Sequence, residues 1–304
     1  MGFGAPFGRW SRRGKSDWLI VVKIGLALPQ FGPLAQAHRI APFAAAAEAM
    51  GVHSLWVGDR LLTPLAPHDP YPAPHPQPYP PEFTRGLDPL LTLTVAATAT
   101  SRVRLSASTL NAPWHNAVLL GRALTSLDVL SGGRLDVGVG LGWMRDEYEA
   151  AGVDWATRGA RLDEMLEVWH RWWTTNPVAF RGRFFTVPES IVDLRPAQPG
   201  GPPLLVAGMS PAAMARVGRW AAGWLMVQGV PAAYETALWD LARRAAEKAG
   251  RDPDAIRRIR RINRDHAAVL DAAGVDECIV DLTYSTGGVD EALAVAETLL
   301  NGRL

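Results

Sequence analysis

Bulky and small residues alternate over residues 22–28, with Ile24, Leu26 and Leu28 on one side and Lys23, Gly25 and Ala27 on the other. That two-residue period predicts a strand. A helical stretch follows through Phe43 and Met50, and Gly51 suits its C-terminal stop. Residues 54–57 and 103–108 read as two more strands, and over 117–130 Leu120, Leu124 and Leu127 share one helical face. Residues 134–140 alternate again, Leu135, Val137 and Val139 against Asp136, Gly138 and Gly140. A long helix then carries a stripe of Leu162, Met165, Leu166, Trp169 and Trp173. A strand at 204–207 leads into Ser210-Pro211, an N-cap with the first helical residue, and that helix is expected to stop at Gly223. Strands near 224–227, 256–262 and 278–282 and helices at about 232–249, 265–273 and 289–301 complete the pattern.

Eight strand-then-helix units imply parallel strands, because parallel neighbours need a crossover between them. Within 304 residues they favour a closed (β/α)8 barrel over an open doubly wound sheet. No sequence repeat of solenoid length interrupts this reading. Two segments do break the rhythm. Residues 60–88 hold nine prolines and follow the second strand; residues 176–203 include Phe180-Arg-Gly-Arg-Phe-Phe185, which resembles a short hairpin. Both fall on the strand-to-helix side, where barrel enzymes build their sites. The first reads either as a half-rigid lid, since proline stiffens a loop, or as a disordered insertion.

Composition narrows the class. Lys and Arg number 31 against 30 Asp and Glu, so no basic surface for nucleic acid is advertised. A single Cys excludes an intramolecular disulfide framework or a Cys-rich metal site, and no apolar run reaches the length of a membrane helix. Residues 1–21 read as a basic tail ahead of one barrel domain at 22–304. Arg12-Arg13 before an apolar stretch has the outline of a twin-arginine export signal. Lys23 interrupts that stretch, and cleavage after Ala37 would remove the first core strand, so a cytoplasmic protein is expected.

Several segments, in matching order over about residues 22–300, resemble the luciferase-like monooxygenase superfamily, and within it the oxidoreductases that use coenzyme F420. They are Ser54-Leu-Trp-Val-Gly-Asp-Arg60, Thr100-Ser-Arg-Val-Arg-Leu105, Leu127-Asp-Val-Leu-Ser-Gly-Gly-Arg134, Gly138-Val-Gly-Leu-Gly-Trp143 with Glu147, Leu204-Leu-Val-Ala-Gly208 and Gly274-Val-Asp-Glu277. Collinearity, not any one block, carries the likeness. It implies the same barrel, with a deazaflavin or flavin ring resting on a bulge of the third strand. The resemblance puts a non-proline cis peptide there, aligned with Ser108–Thr109, which as plain sequence reads as ordinary strand filler. It further implies cofactor contacts at Asp59, Asn111, Leu141, Gly142 and Asp146, and a phosphate site at Gly208, Met209, Ser210, Ala212 and Ala213. Asp59 equally suits a helix cap or a salt bridge, and Gly140-Leu-Gly142 leaves room for a flat ring or merely turns the chain. A helix N-terminus favours anions, but Met209-Ser210 stands where the family carries a second glycine, and Ser-Pro is also an ordinary helix start.

The chain departs from the related sugar-phosphate dehydrogenases. Their acid–base His and Glu are replaced by Arg60 and Trp143, so that substrate class is unsupported. His115 and Arg60 are left as catalytic candidates: the imidazole titrates near neutrality, and the guanidinium can hold an anion or polarise a carbonyl. Their alternatives are a structural hydrogen bond and a salt bridge. Trp114 and Trp143 are candidates for an apolar substrate pocket, with core packing as the alternative. Glu147 reads as a cap or bridge at the next helix. Arg257, Arg258, Arg260, Arg261 and Arg264 read as a surface or subunit-contact face, and Cys278 as a buried small hydrophobe.

The expected activity is hydride transfer between F420 and a small organic substrate. The rivals are an FMN-dependent two-component monooxygenase, supplied by a separate reductase, and a non-catalytic flavin-binding barrel. A homodimer is expected, because Trp169, Trp172 and Trp173 cannot all face one stripe; the surplus ring meets either a second subunit or the 176–203 insertion. No metal-ligand spacing is visible.

Overall fold

The computed structural model describes residues 22–72, 78–227, 229–263 and 274–301. The expected tail at 1–21, Arg264 and the helix at 265–273 lie outside the described residues. The strands are β1 (Lys23–Ala27), β2 (Ser54–Val57), β3 (Arg104–Ala107), β4 (Val137–Val139), β5 (Val178–Arg181), β6 (Thr186–Ser190), β7 (Leu204–Ala207), β8 (Gly223–Met226), β9 (Arg257–Asn263) and β10 (Glu277–Asp281). The helices are α1 (Ala37–Ala49), α2 (Pro89–Ala99), α3 (Ala117–Leu130), α4 (Arg145–Ala150), α5 (Arg158–Thr174), α6 (Pro211–Trp220), α7 (Ala232–Lys248) and α8 (Val289–Asn301). Eight strands pair in parallel in the order β3-β2-β1-β10-β9-β8-β7-β4, and bridges Leu105–Leu135 and Leu110–Val139 join β3 to β4. The result is the (β/α)8 barrel that the periodicity predicts. β5 and β6 form the separate antiparallel hairpin expected in the second insertion. No helix among the described residues is long and apolar enough to cross a membrane.

Two elements differ from expectation. α2 escapes the hydrophobic pattern because Leu91 and Val95 break its apolar face outward, yet its start is written as Asp88-Pro89: the Asp88 carboxylate accepts from Leu91 N at 2.9 Å. α6 ends at Trp220, and Gly223 opens β8 instead of stopping the helix. A Cβ on Gly223 would come within 2.8 Å of Leu205, its paired residue on β7.

A strand inside such a barrel is buried on both faces. The outward residues of β1 to β4 pack on helices, whereas Trp56, Leu205, Leu225, Ile259 and Ile279 fill the middle of the interior. Gly25 is small because the Trp56 ring occupies its space. Below this layer the interior is charged: Arg104 and Arg257 bond Asp136, Glu277 bonds Ser54, and the Trp56 indole donates to Ser54 at 2.6 Å. This arrangement corrects the reading of the arginine run. Arg257 and Arg261 share the parity of Ile259 and point inward, with Arg261 on Asp281; Arg258 and Arg260 point outward, over Trp239 and onto Glu235. Alternation shows two faces but does not say that both are covered.

The three tryptophans of α5 are all buried within the chain. Trp169 and Trp173 stack, Trp173 lies against Gly201, and Arg195 from the second insertion donates to the Trp172 carbonyl at 2.6 Å. The insertion covers Trp172 and Trp173, and α3 covers Trp169, whose indole donates to the Ala117 carbonyl at 2.8 Å. Cys278 is buried, as expected.

β3 and β4 meet irregularly. From Leu105 to Leu110 is five residues, while their partners Leu135 and Val139 are four apart, so β3 carries one extra residue in a bulge. Every second residue of β4 and its following turn is a glycine facing that bulge. A Cβ on Gly138 would overlap the Ala107 carbonyl oxygen, one on Gly140 would sit 2.7 Å from Thr109 Oγ1, and one on Gly142 3.2 Å from the Asn111 amide. Gly138→Ala is therefore expected to cost about 1–3 kcal/mol of folding stability, as overpacking against backbone does. The urea midpoint of the variant checks this, and an unchanged midpoint refutes the close approach.

Candidate functional site

β2, β3, β4 and β7 are consecutive around the barrel, since β3 meets β4 and β4 pairs with β7. Their C-terminal turns thus form one continuous arc, and nearly every predicted site residue stands on it. At its centre Ser108–Thr109 is a cis peptide, as the resemblance implies. Ser108, Thr109, Leu141, Gly142, Ala207 and Gly208 are half-exposed, while the interior residues beneath them are buried. The upper end of the barrel is therefore open along this arc.

Asp59 ends β2 and is buried. Its Oδ2 accepts from Asn111 N at 2.8 Å, and Asn111 Nδ2 donates to the Asp59 carbonyl at 2.9 Å. The pair ties the turn after β2 to the bulge of β3, so both residues act from beneath the surface. The same bond fixes the glycines' meaning. Gly140 and Gly142 make room for Thr109 and Asn111, which corrects the view that they simply leave space for a ring.

His115 follows the short turn Ala112–Trp114. Its Nε2 accepts from Trp114 Nε1 at 2.9 Å and stands 3.9 Å from Asp59 Oδ2. That bond leaves Nδ1 as the nitrogen able to give a proton. Trp114 itself is buried against Tyr148, so it supports His115 and does not wall a pocket. The turn tucks its ring under the mouth.

Arg60 is not a free cation. Its NH1 lies 3.1 Å from Glu147 Oε2, its Nε donates to the Asp59 carbonyl, and its guanidinium sits over Trp143 at 4.7 Å and Phe83 at 5.6 Å. Glu147 is fully buried and also accepts from Leu61 N at 2.8 Å. Burial pushes its carboxyl up to about 7, against the opposing pull of Arg60. Sequence reading left Glu147 a generic bridge; it anchors the root of the Pro-rich insertion.

The described parts of that insertion, 60–72 and 78–88, pack against the turn after β4 at the mouth. Tyr71 and Tyr79 meet Trp143 edge-on at 5.6 and 5.3 Å, and Phe83 contacts Tyr71, Phe31 and Tyr284. At its far side His68 bonds Asp146 through both its backbone N–H and its ring, and Asp69 pairs with Arg145. The ring bond to Asp146 raises the His68 pKa; burial works to raise that of Asp146, but the bonds from His68 outweigh it and lower it. Asp146, expected to touch cofactor, is engaged by the insertion instead. No motif announced these aromatic contacts; the nine prolines hid three ring-bearing residues in what read as linker.

Just after β7, Gly208 has φ +139, and a Cβ there would press on Ala213 at 2.7 Å. Ser210 caps α6, its Oγ accepting from the N–H of buried Ala213 at 3.2 Å. Met209, Ser210 and Ala212 are exposed, and the Tyr234 hydroxyl donates to the Met209 carbonyl at 2.9 Å. First-turn N–H groups lack helical partners, so this exposed turn can receive an anion. Opposite, Arg261 reaches from β9 across the interior to donate to the Ser108 carbonyl at 2.6 Å while paired with Asp281. Among the described residues no group of three metal-ligating side chains occurs.

Comparison with known proteins agrees with this geometry. The luciferase-like monooxygenase family matches residues 18–285, and the chain belongs to it, a family of oxidoreductases and monooxygenases. More particularly, it is 32% identical over 217 residues to an uncharacterised protein of Mycobacterium tuberculosis, covering 69% of this chain and 72% of that one. Among solved structures, an F420-dependent secondary alcohol dehydrogenase in complex with an F420-acetone adduct superposes with TM-score 0.74 at 16% identity, over 91% of this chain and 98% of that one. The monooxygenase RslO1 from Streptomyces bottropensis gives 0.72 at 21%, over 93% and 99%.

The buried Glu147 carries a pH signature. Its carboxyl titrates near 4.5 when unfolded and near 7 when folded, so between those values the folded state holds a proton the unfolded chain has lost. Its contribution is full below pH 4.5 and fades as pH rises through about 7. Glu147→Gln should flatten this fall. Urea midpoints of both proteins at pH 5 and pH 8 measure it, and parallel slopes would contradict the buried carboxyl.

Proposed function

We propose that the protein is a cytoplasmic F420-dependent oxidoreductase that moves a hydride between the deazaflavin C5 and a small organic substrate. The observation that carries this reading is the single arc from β2 to β7, with its half-exposed bed at Ser108–Thr109 and its exposed helix start at Ser210. On this reading a flat ring would rest on the bed and a phosphate would sit at the helix start. The fold neighbour with an F420-acetone adduct supports a deazaflavin over an unspecified ligand.

When bound, the cofactor would supply the redox chemistry; the chain supplies position and a proton. Asp59 and Asn111 fix the β2 and β3 turns against each other, and Gly208 with Ser210 would hold the phosphate. With Trp114 on Nε2, His115 would hold its proton on Nδ1 for the substrate. The insertion's rings would exclude water from the bed. We take the working form to be a homodimer, supported by exposed Leu91 and Val95 on α2 and Leu119 on α3.

Titration of the purified protein with F420 and, separately, FMN tests the reading. F420 should bind, and Ser210→Glu, which sets a carboxylate where the phosphate belongs, should weaken it at least about tenfold. Tight FMN retention with no F420 binding would establish the two-component monooxygenase instead, and failure of both would leave a barrel without cofactor.

A further inference from the structure

Among the described residues, Arg60 and Arg261 reach the mouth, and both are paired. Arg60 is compensated by the buried Glu147 and sandwiched between Trp143 and Phe83. Arg261 is held by two bonds to Asp281 Oδ2, at 3.0 and 2.7 Å, and by the Ser108 carbonyl. An incoming anion would have to compete with Asp281 for Arg261 or with Glu147 for Arg60. The rest of the rim is aromatic. Tyr71 and Tyr79 meet Trp143 at interplanar angles of 83° and 85°, and Phe83 joins them to Tyr284 at 6.2 Å. These rings come from three separate places, the insertion after β2, the turn after β4 and the turn after β10. The insertion's rings are brought to the barrel by the contacts of His68 and Asp69 with α4.

We infer that Tyr71, Tyr79 and Trp143 are specificity-determining residues that select an uncharged, ring-bearing substrate and reject anions of the same shape. This rests on the mouth being the substrate site proposed above, and it adds the chemical class. Edge-to-face aromatic pairing rewards a planar apolar ring, while the Tyr79 hydroxyl is already given to the Asp69 carbonyl. A carboxylate or phosphate would lose its hydration and meet, among the described residues, arginines that already have partners.

Two probes of one shape decide the matter: 2-acetylnaphthalene, which is neutral, and 2-naphthoate, which is anionic. Each is titrated calorimetrically into the full chain, with and without saturating F420, and F420 affinity is measured separately. The ketone should bind at least about tenfold more tightly than the carboxylate. Replacing both phenols, Tyr71→Leu with Tyr79→Leu, should weaken the ketone at least about fivefold and leave F420 affinity within about twofold. Equal or tighter naphthoate binding, no binding of either probe, or ketone binding unchanged in a double variant that still binds F420 overturns the inference. If the double variant fails to fold, the ratio of the two probes on the unaltered protein decides alone. Probe selectivity without F420 binding would sink the cofactor reading and leave the selectivity standing; F420 binding without selectivity does the reverse.

Discussion

The Ala107 carbonyl points into the space a side chain at position 138 would fill, and the barrel can close only because that residue is glycine. β3 carries one residue more than β4 between their two bridges, and the surplus has to go somewhere. It goes toward β4, whose glycines at 138, 140 and 142 receive in turn a carbonyl, a threonine side chain and an asparagine side chain. With bulky residues on β4 the two strands would be forced apart, and the seam would open where the site lies. Because they stay together, β2, β3, β4 and β7 make one arc. Asp59 and Asn111 then lock the arc's first two turns with buried hydrogen bonds, which a low-dielectric surrounding makes firm.

Much of this was legible from residue order. The eight barrel strands appear within a few residues of where the sequence pattern puts them; β1 and β4 set small residues inward, whereas the bulky interior layer of Trp56, Leu205, Leu225, Ile259 and Ile279 could not be read from alternation. The resemblance added the cis peptide and the exposed turn at Ser210. What remained hidden is physical in kind. Alternation in β9 marks Arg257 and Arg261 as opposite in side to Ile262, but an arginine facing inward reads like one facing water until Asp136 and Asp281 are seen across the barrel. The glycines of β4 could mean room for a ligand or room for a neighbouring strand, and only the bulge opposite decides. Asp146 was assigned from kinship; His68, which claims it, lies in an insertion with no counterpart pattern to compare.

The mouth combines two features that are usually alternatives. Charged side chains reach it from the barrel, yet each arrives with its partner: Arg60 with Glu147, Arg261 with Asp281. Such pairs contribute little net stability, because desolvation offsets much of the attraction, and what they add is definition of place. Arg261 holds the carbonyl of the bed from one side, and Arg60 holds Trp143 and the root of the insertion from the other. The charges therefore position an apolar rim and do not themselves present charge to a ligand. This is also why losing the acid–base pair of the sugar-phosphate dehydrogenases is coherent with the rest of the site. Arg60 and Trp143 stand where that pair would act, and they stack on one another. Arg60 and Trp143 thus form one wall of an aromatic collar, and on the proposed function the proton would come from the neighbouring turn, where Trp114 occupies one His115 nitrogen and leaves the other available.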